Sequence, residues 1–169
     1  MKNKGELLAS VLLDFKECYF FLHNTKEFNI VEKIMTEGFV FESQLSHSTD
    51  RVNPNEPIEI TYFLIQRKDY GTYTMIIAIP KIIYEIYSAV SNEYDIGIED
   101  VMTINDPIVS DNDEMVYTVS PKHVLGYFNQ KTNDFYLNRN WDPYFNNCRF
   151  RSPIKNIEKQ GRKNAGQLP

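Results

Sequence analysis

Along the first forty residues, apolar and polar positions change period twice. Residues 5–17, GELLASVLLDFKE, place Leu7, Leu8, Val11, Leu12 and Phe15 at the three- and four-residue spacing of an amphipathic helix. The next stretch, CYFFLHNT, is apolar on both alternating faces, as a strand buried on both sides requires. Helical spacing returns with Phe28, Val31, Ile34 and Met35 as the buried face. Asn24 and Glu27 stand three residues apart, as in a capping box, and Gly38 supplies the stop. Residues 39–49 alternate weakly, which predicts a short strand around QLSHST.

The segment IEITYFLIQRKDYGTYTMIIAIP has two parts. Tyr73 to Ile79 predicts a strand closed by Pro80. Residues 56–68 fit either a strand paired through KDYG or a helix with Ile58, Tyr62 and Ile65 on one face, and periodicity leaves both open. Ile82, Ile83, Ile86, Tyr87 and Val90 mark another helix. NDPIVSDND reads as a loop, EMVYTV as a strand, and HVLGYFN with FYLNRN as a hairpin over QKTND. The pattern is that of an α+β domain over residues 1–148, with helices early and strands late.

Charge divides the chain. Residues 149–169 hold six Lys and Arg against Glu158 alone, a net of +5, so residues 1–148 carry −10 within a total of −5. The acidic body argues against broad nucleic-acid binding, which needs a dense positive field. The basic end, closing on GRKNAGQLP, reads as a flexible, solubilising tail. Cys18 and Cys148 are too few for a disulfide framework, and Cys18 at the head of an apolar strand reads as an inert, buried thiol. No apolar run nears the roughly 18 residues of a membrane-spanning helix, and no leader pattern is visible, so a soluble cytoplasmic protein is expected.

The three histidines, His23, His47 and His123, form no zinc-type spacing, and phosphate-loop and nucleophile-elbow motifs are absent from the sequence. The order of three segments is more telling. LHNTKEFNIVEKIMTEGF is a strand ending in His-x-Thr, followed by a helix and Gly-Phe. LSHSTD follows. Much later comes DEMVYTVSPKHV, an acid at the head of a strand that runs into a proline turn. This order resembles the ADP-ribosyltransferase superfamily, in particular its His-bearing branch of poly(ADP-ribose) polymerases and tRNA 2'-phosphotransferases.

The resemblance implies a split β-sheet core with flanking helices and a cleft that takes NAD as a substrate, without a metal. It implies that His23, Asn24, Thr25 and Ser48 bind the dinucleotide and that Tyr62 stacks on the nicotinamide. Glu114 is the implied catalytic acid, with Asp111 and Asp113 as its neighbours and alternatives. Such an acid stabilises the positive charge that develops on the ribose as the bond to nicotinamide breaks. Arg51, Arg67 and Lys68 are the cations available for a phosphate, as a tRNA 2'-phosphotransferase would need. The acidic body instead favours a protein or small molecule as the acceptor of ADP-ribose. The other expectation is a domain of the same shape without catalysis, serving as a binding or oligomerisation module. Its interface would be the aromatic-rich GYFNQKTNDFYLNRNW.

Overall fold

The computed structural model describes residues 4–52, 71–104 and 108–147. Its helices are α1 (Lys4–Leu13), α2 (Phe28–Glu37), the single turn α3 (Leu45–Ser48), α4 (Lys81–Tyr94) and α5 (Ile98–Met102). Its strands are β1 (Cys18–Thr25), β2 (Phe39–Glu42), β3 (Asp50–Val52), β4 (Tyr73–Pro80), β5 (Ile108–Val109), β6 (Met115–Val119), β7 (Val124–Asn129) and β8 (Asp134–Leu137). The architecture is α+β, built on two antiparallel sheets. One has the order β3-β1-β4-β7-β8, the other β2-β6-β5. Helices and strands interleave along the chain, where the sequence pattern suggested helices first. Among the described residues no helix is long and apolar enough to cross a membrane.

The five-stranded sheet explains why CYFFLHNT is apolar on both faces. Strand alternation sends Phe20 and Leu22 to one side, where Leu8, Ala9 and Leu12 of α1 cover them. It sends Phe21 to the other side, against Met75, Ile77, Ile79 and residues of α2, α4 and the smaller sheet. β4 is central, and Met75 to Ile79 are fully buried. Each fully buried aliphatic side chain of this kind contributes about 2 kcal/mol. Gly126 on β7 has φ 156°, and a Cβ there would strike the carbonyl of Tyr136 on β8. Its missing side chain lets the β7–β8 pair close next to the register shift between β4 and β7.

Three local expectations are corrected. The capping box does not form: β1 continues through Asn24 and Thr25, paired with Thr74 and Tyr73, and the N-cap of α2 is Glu27, without a side-chain cap. Residues 39–49, read as a weak strand around QLSHST, instead form β2 over Phe39–Glu42 and the turn of α3 over Leu45–Ser48, and β3 begins only at Asp50. Within the expected loop NDPIVSDND, Ile108 and Val109 pair with β6. On α2, Val31 and Ile34 are buried as expected, while Phe28 is 43% exposed and packs edgewise on Tyr127. Residues 56–68, with Tyr62, Arg67 and Lys68, lie outside the described residues, as does the basic segment from 149 onward.

Candidate functional site

His23 sits near the end of β1 on the face that carries Phe21, opposite Met75. Its ring packs at 4.9 Å from Phe39, the first residue of β2. Its Nδ1 lies 2.9 Å from the backbone oxygen of Ser48. A carbonyl only accepts, so Nδ1 carries the proton, and in the neutral ring Nε2 is left as an acceptor.

Ser48 can hold the imidazole because α3 is tied at both ends. The amide of Leu45 donates to Glu99 Oε1 at 3.3 Å, and both the amide and the hydroxyl of Thr49 donate back to the Leu45 carbonyl. A carboxylate at the first turn and a threonine after the last replace partners that so short a helix lacks.

A hollow of about 300 Å³ opens here, lined by His23, Ser48, Ile30, Lys33, Ile34 and the residues Gly38 to Val40. Its floor is apolar, and its polar residues are His23, Ser48 and Lys33, a set suited to a ligand with hydroxyls and negative charge. Gly38 is required by geometry. Its φ is +107°, its amide donates to Ile34 O at 3.1 Å to end α2, and a Cβ would collide with the Val119 carbonyl on β6. The tight turn from α2 into β2 brings Phe39 onto His23.

The other sequence-derived candidates lie at different places. Asn24 faces the opposite side of the sheet from His23; its Oδ1 accepts from Thr74 Oγ1 at 2.7 Å and from Gln130 Nε2 at 3.3 Å. Thr25 shares the His23 face, and its hydroxyl oxygen lies 3.4 Å from the Glu27 amide in the turn before α2. Ser48 contributes its carbonyl to His23. Tyr62 is outside the described residues. Arg51 lies over the rings of Tyr19 and Tyr84, at 4.6 and 5.4 Å, rather than in the hollow.

Glu114 immediately precedes β6 and is exposed. Its carbonyl accepts from the Ser110 amide at 2.7 Å, and its own amide lies 3.3 Å from the Ser110 hydroxyl. Asp111 and Asp113 belong to the turn itself, with Asp113 at φ 61°. Tyr117 and Val119 point into the core, so continued alternation turns Glu114 to the outer face, with Val116 and Thr118. Thr118 pairs with Val40, which lines the hollow. Glu114 is thus on the outer face of the small sheet, four residues or about 13 Å of strand from Thr118, whereas His23 meets this sheet through Phe39 on the inner face. The structure brings His23 and Ser48 together and leaves Glu114 apart.

From His23 a ladder of rings runs along the inner face of the small sheet. Phe39 stacks on Phe41 at 5.9 Å and Phe41 on Tyr117 at 5.4 Å. Burial first, then the carboxylates of Asp100 and Glu99, raises the Tyr117 pKa and keeps its phenol neutral. Sequence reasoning missed Lys33. Its signal was present, since Ile30 and Ile34 flank it at helical spacing and place it on the rim of the buried face next to Gly38. Comparison of the chain with protein-family models, with curated proteins and with solved structures finds no match.

Proposed function

We propose that this chain is an NAD-binding protein of the ADP-ribosyltransferase type, with that superfamily's split-sheet fold, and that it transfers ADP-ribose to a protein or small-molecule acceptor. The observation that carries the reading is the imidazole of His23, fixed by the Ser48 carbonyl with Nε2 free to accept, at the wall of a hollow that also holds Lys33. In this reading Nε2 accepts a hydrogen bond from a hydroxyl of the adenosine ribose, and the Lys33 ammonium faces the pyrophosphate. Glu114 stands near the nicotinamide ribose. There the C–N bond to nicotinamide breaks, its electron pair leaves with the ring nitrogen, and the acceptor's lone pair forms the new bond and releases its proton. A dinucleotide in extended form has the reach to meet both His23 and Glu114.

The test is nicotinamide release and label transfer from labelled NAD, with binding followed by calorimetry. The reading expects binding that His23→Ala weakens and release that Glu114→Gln lowers by at least about tenfold. Absence of heat on NAD addition, together with release no greater than that of Glu114→Gln, would sink it. The exposure of Glu114 and its separation from the hollow favour a second reading, a binding module of this shape without turnover. NAD binding with no release in either protein selects that one.

A further inference from the structure

A second hollow, larger than the one beside His23, lies elsewhere on the molecule. It is an apolar groove of about 590 Å³ between the end of α1, the start of α4 and residues 141–144. The indole of Trp141 stands against one wall, edge-on to Phe15 at 5.5 Å, with Nε1 donating to the Ala78 carbonyl. The other wall is the outer side of α4. Ile83, Tyr87 and Val90 face the core, while Ile82 (69% exposed) and Ile86 face the groove. Tyr144 at the mouth is 86% exposed. Asp14 and Glu17 stand at its edge with Lys16, and Glu85 is exposed on α4 beside Ile86.

Two observations point to one occupant. Asn147 is tied to the body beside α4: its amide donates to Tyr87 Oη at 3.1 Å, and its side-chain amide donates to Val101 O and Thr103 O. The chain therefore leaves the described region within a few residues of the groove, and every three residues beyond add at most about 10 Å of reach. The residues that follow, RFRSPIKNIEK (149–159), combine Phe150, Ile154 and Ile157, at i, i+4 and i+7, with four cations and one anion. Ile154 and Ile157, three residues apart after Pro153, have the spacing of anchors that enter an apolar groove, with Phe150 ahead of the proline as a third apolar contact, and the segment's charge is opposite to the rim's. We propose that the groove is the docking site of this chain's own residues 149–159, with Phe150, Ile154 and Ile157 as the anchors and the Asp14–Glu17–Glu85 rim facing the basic residues. The tether gives the segment a high effective concentration at the groove, so shallow contacts suffice.

Trp141 is the only tryptophan of the chain and reports on the groove directly. In the full chain, acrylamide quenching of its emission should rise roughly twofold in the double variant Ile154→Asp, Ile157→Asp, as the indole passes from covered to open. Arg149→Glu with Arg151→Glu should move it the same way, and Lys163→Glu should not. Raised salt should increase quenching of the parent chain towards the level of the variants. Circular dichroism checks that the body is unchanged. Equal quenching in the parent and the Ile154/Ile157 variant overturns the proposal. So does quenching of the parent that falls with protein concentration as a dimer forms in sedimentation, which would assign the groove to a second copy.

Discussion

His23 lies near the end of β1 and His123 in the single 3-10 turn immediately before β7, and their surroundings give them opposite characters. His23 is half-buried. One ring nitrogen is committed to a backbone carbonyl, and the ring lines the hollow beside Lys33. His123 is fully buried. Its Nε2 lies 2.8 Å from the Tyr87 hydroxyl, its ring meets Tyr87 and Phe145 edge to face, and Nδ1 has no partner among the described residues. Burial pushes its pKa down to about 4, against a smaller opposing pull from Asp142. One imidazole lines a hollow and, in the proposed function, meets a ligand there; the other is a structural pin. The difference lies in what the fold packs around each ring.

The largest test of this contrast is His123→Ala, which leaves a cavity and removes one of the partners of the Tyr87 hydroxyl, which keeps the Asn147 amide. It should cost about 3 kcal/mol in urea denaturation. His23→Ala should cost less than about 1 kcal/mol in the same measurement. Equal losses would erase the distinction.

Acid should reveal the pin next. In the unfolded chain a histidine protonates near 6.5, while the folded His123 resists until about pH 4. The unfolded state therefore binds more protons across that window, so stability present above it is lost as pH falls, by up to about 3 kcal/mol. His123→Gln should flatten the slope measured by denaturation across the window, and an unchanged slope would assign the loss to other groups.

A smaller effect is expected at the site itself. His23→Ala should weaken NAD binding about tenfold in calorimetry, or roughly 1.4 kcal/mol, with Gln in its place retaining part of the affinity through its acceptor oxygen. Smallest of all is Ser48→Ala. The carbonyl, not the hydroxyl, holds His23, so NAD affinity should stay within about twofold. A larger loss would mean that the hydroxyl itself meets the ligand.

The sequence was legible where burial alone sets the pattern. β1, β4, α2, α4 and β7 all follow from apolar spacing, because each lays an apolar face on the core, while β8, largely exposed, was legible as the return arm of the hairpin. It was not legible where a distant partner decides. Asn24 and Glu27 have capping-box spacing, but pairing with β4 holds Asn24 in a strand and turns its side chain to Thr74 and Gln130. LSHS alternates like a strand, yet Glu99, fifty-four residues ahead of Leu45, holds it as a helical turn. The site divided the same way. His23 and the Gly38 turn could be read locally. That Ser48 acts through its carbonyl, that Lys33 reaches the hollow, and that Glu114 stands about 13 Å along the strand depended on how the two sheets meet.

The stretch from Asn138 to Asn147 contains neither helix nor strand, yet side-chain amides clamp it at both ends. Asn138 donates to the carbonyls of Met35 and Pro121, and Asn147 to those of Val101 and Thr103. Irregular backbone ordinarily frays well before a protein melts. Here it can loosen only if α2, α5 and the turn before β7 release it, so its backbone protons should trade with deuterium on the slow schedule of global opening. In folding it would be among the last pieces fastened, and in unfolding no early point of entry for a protease.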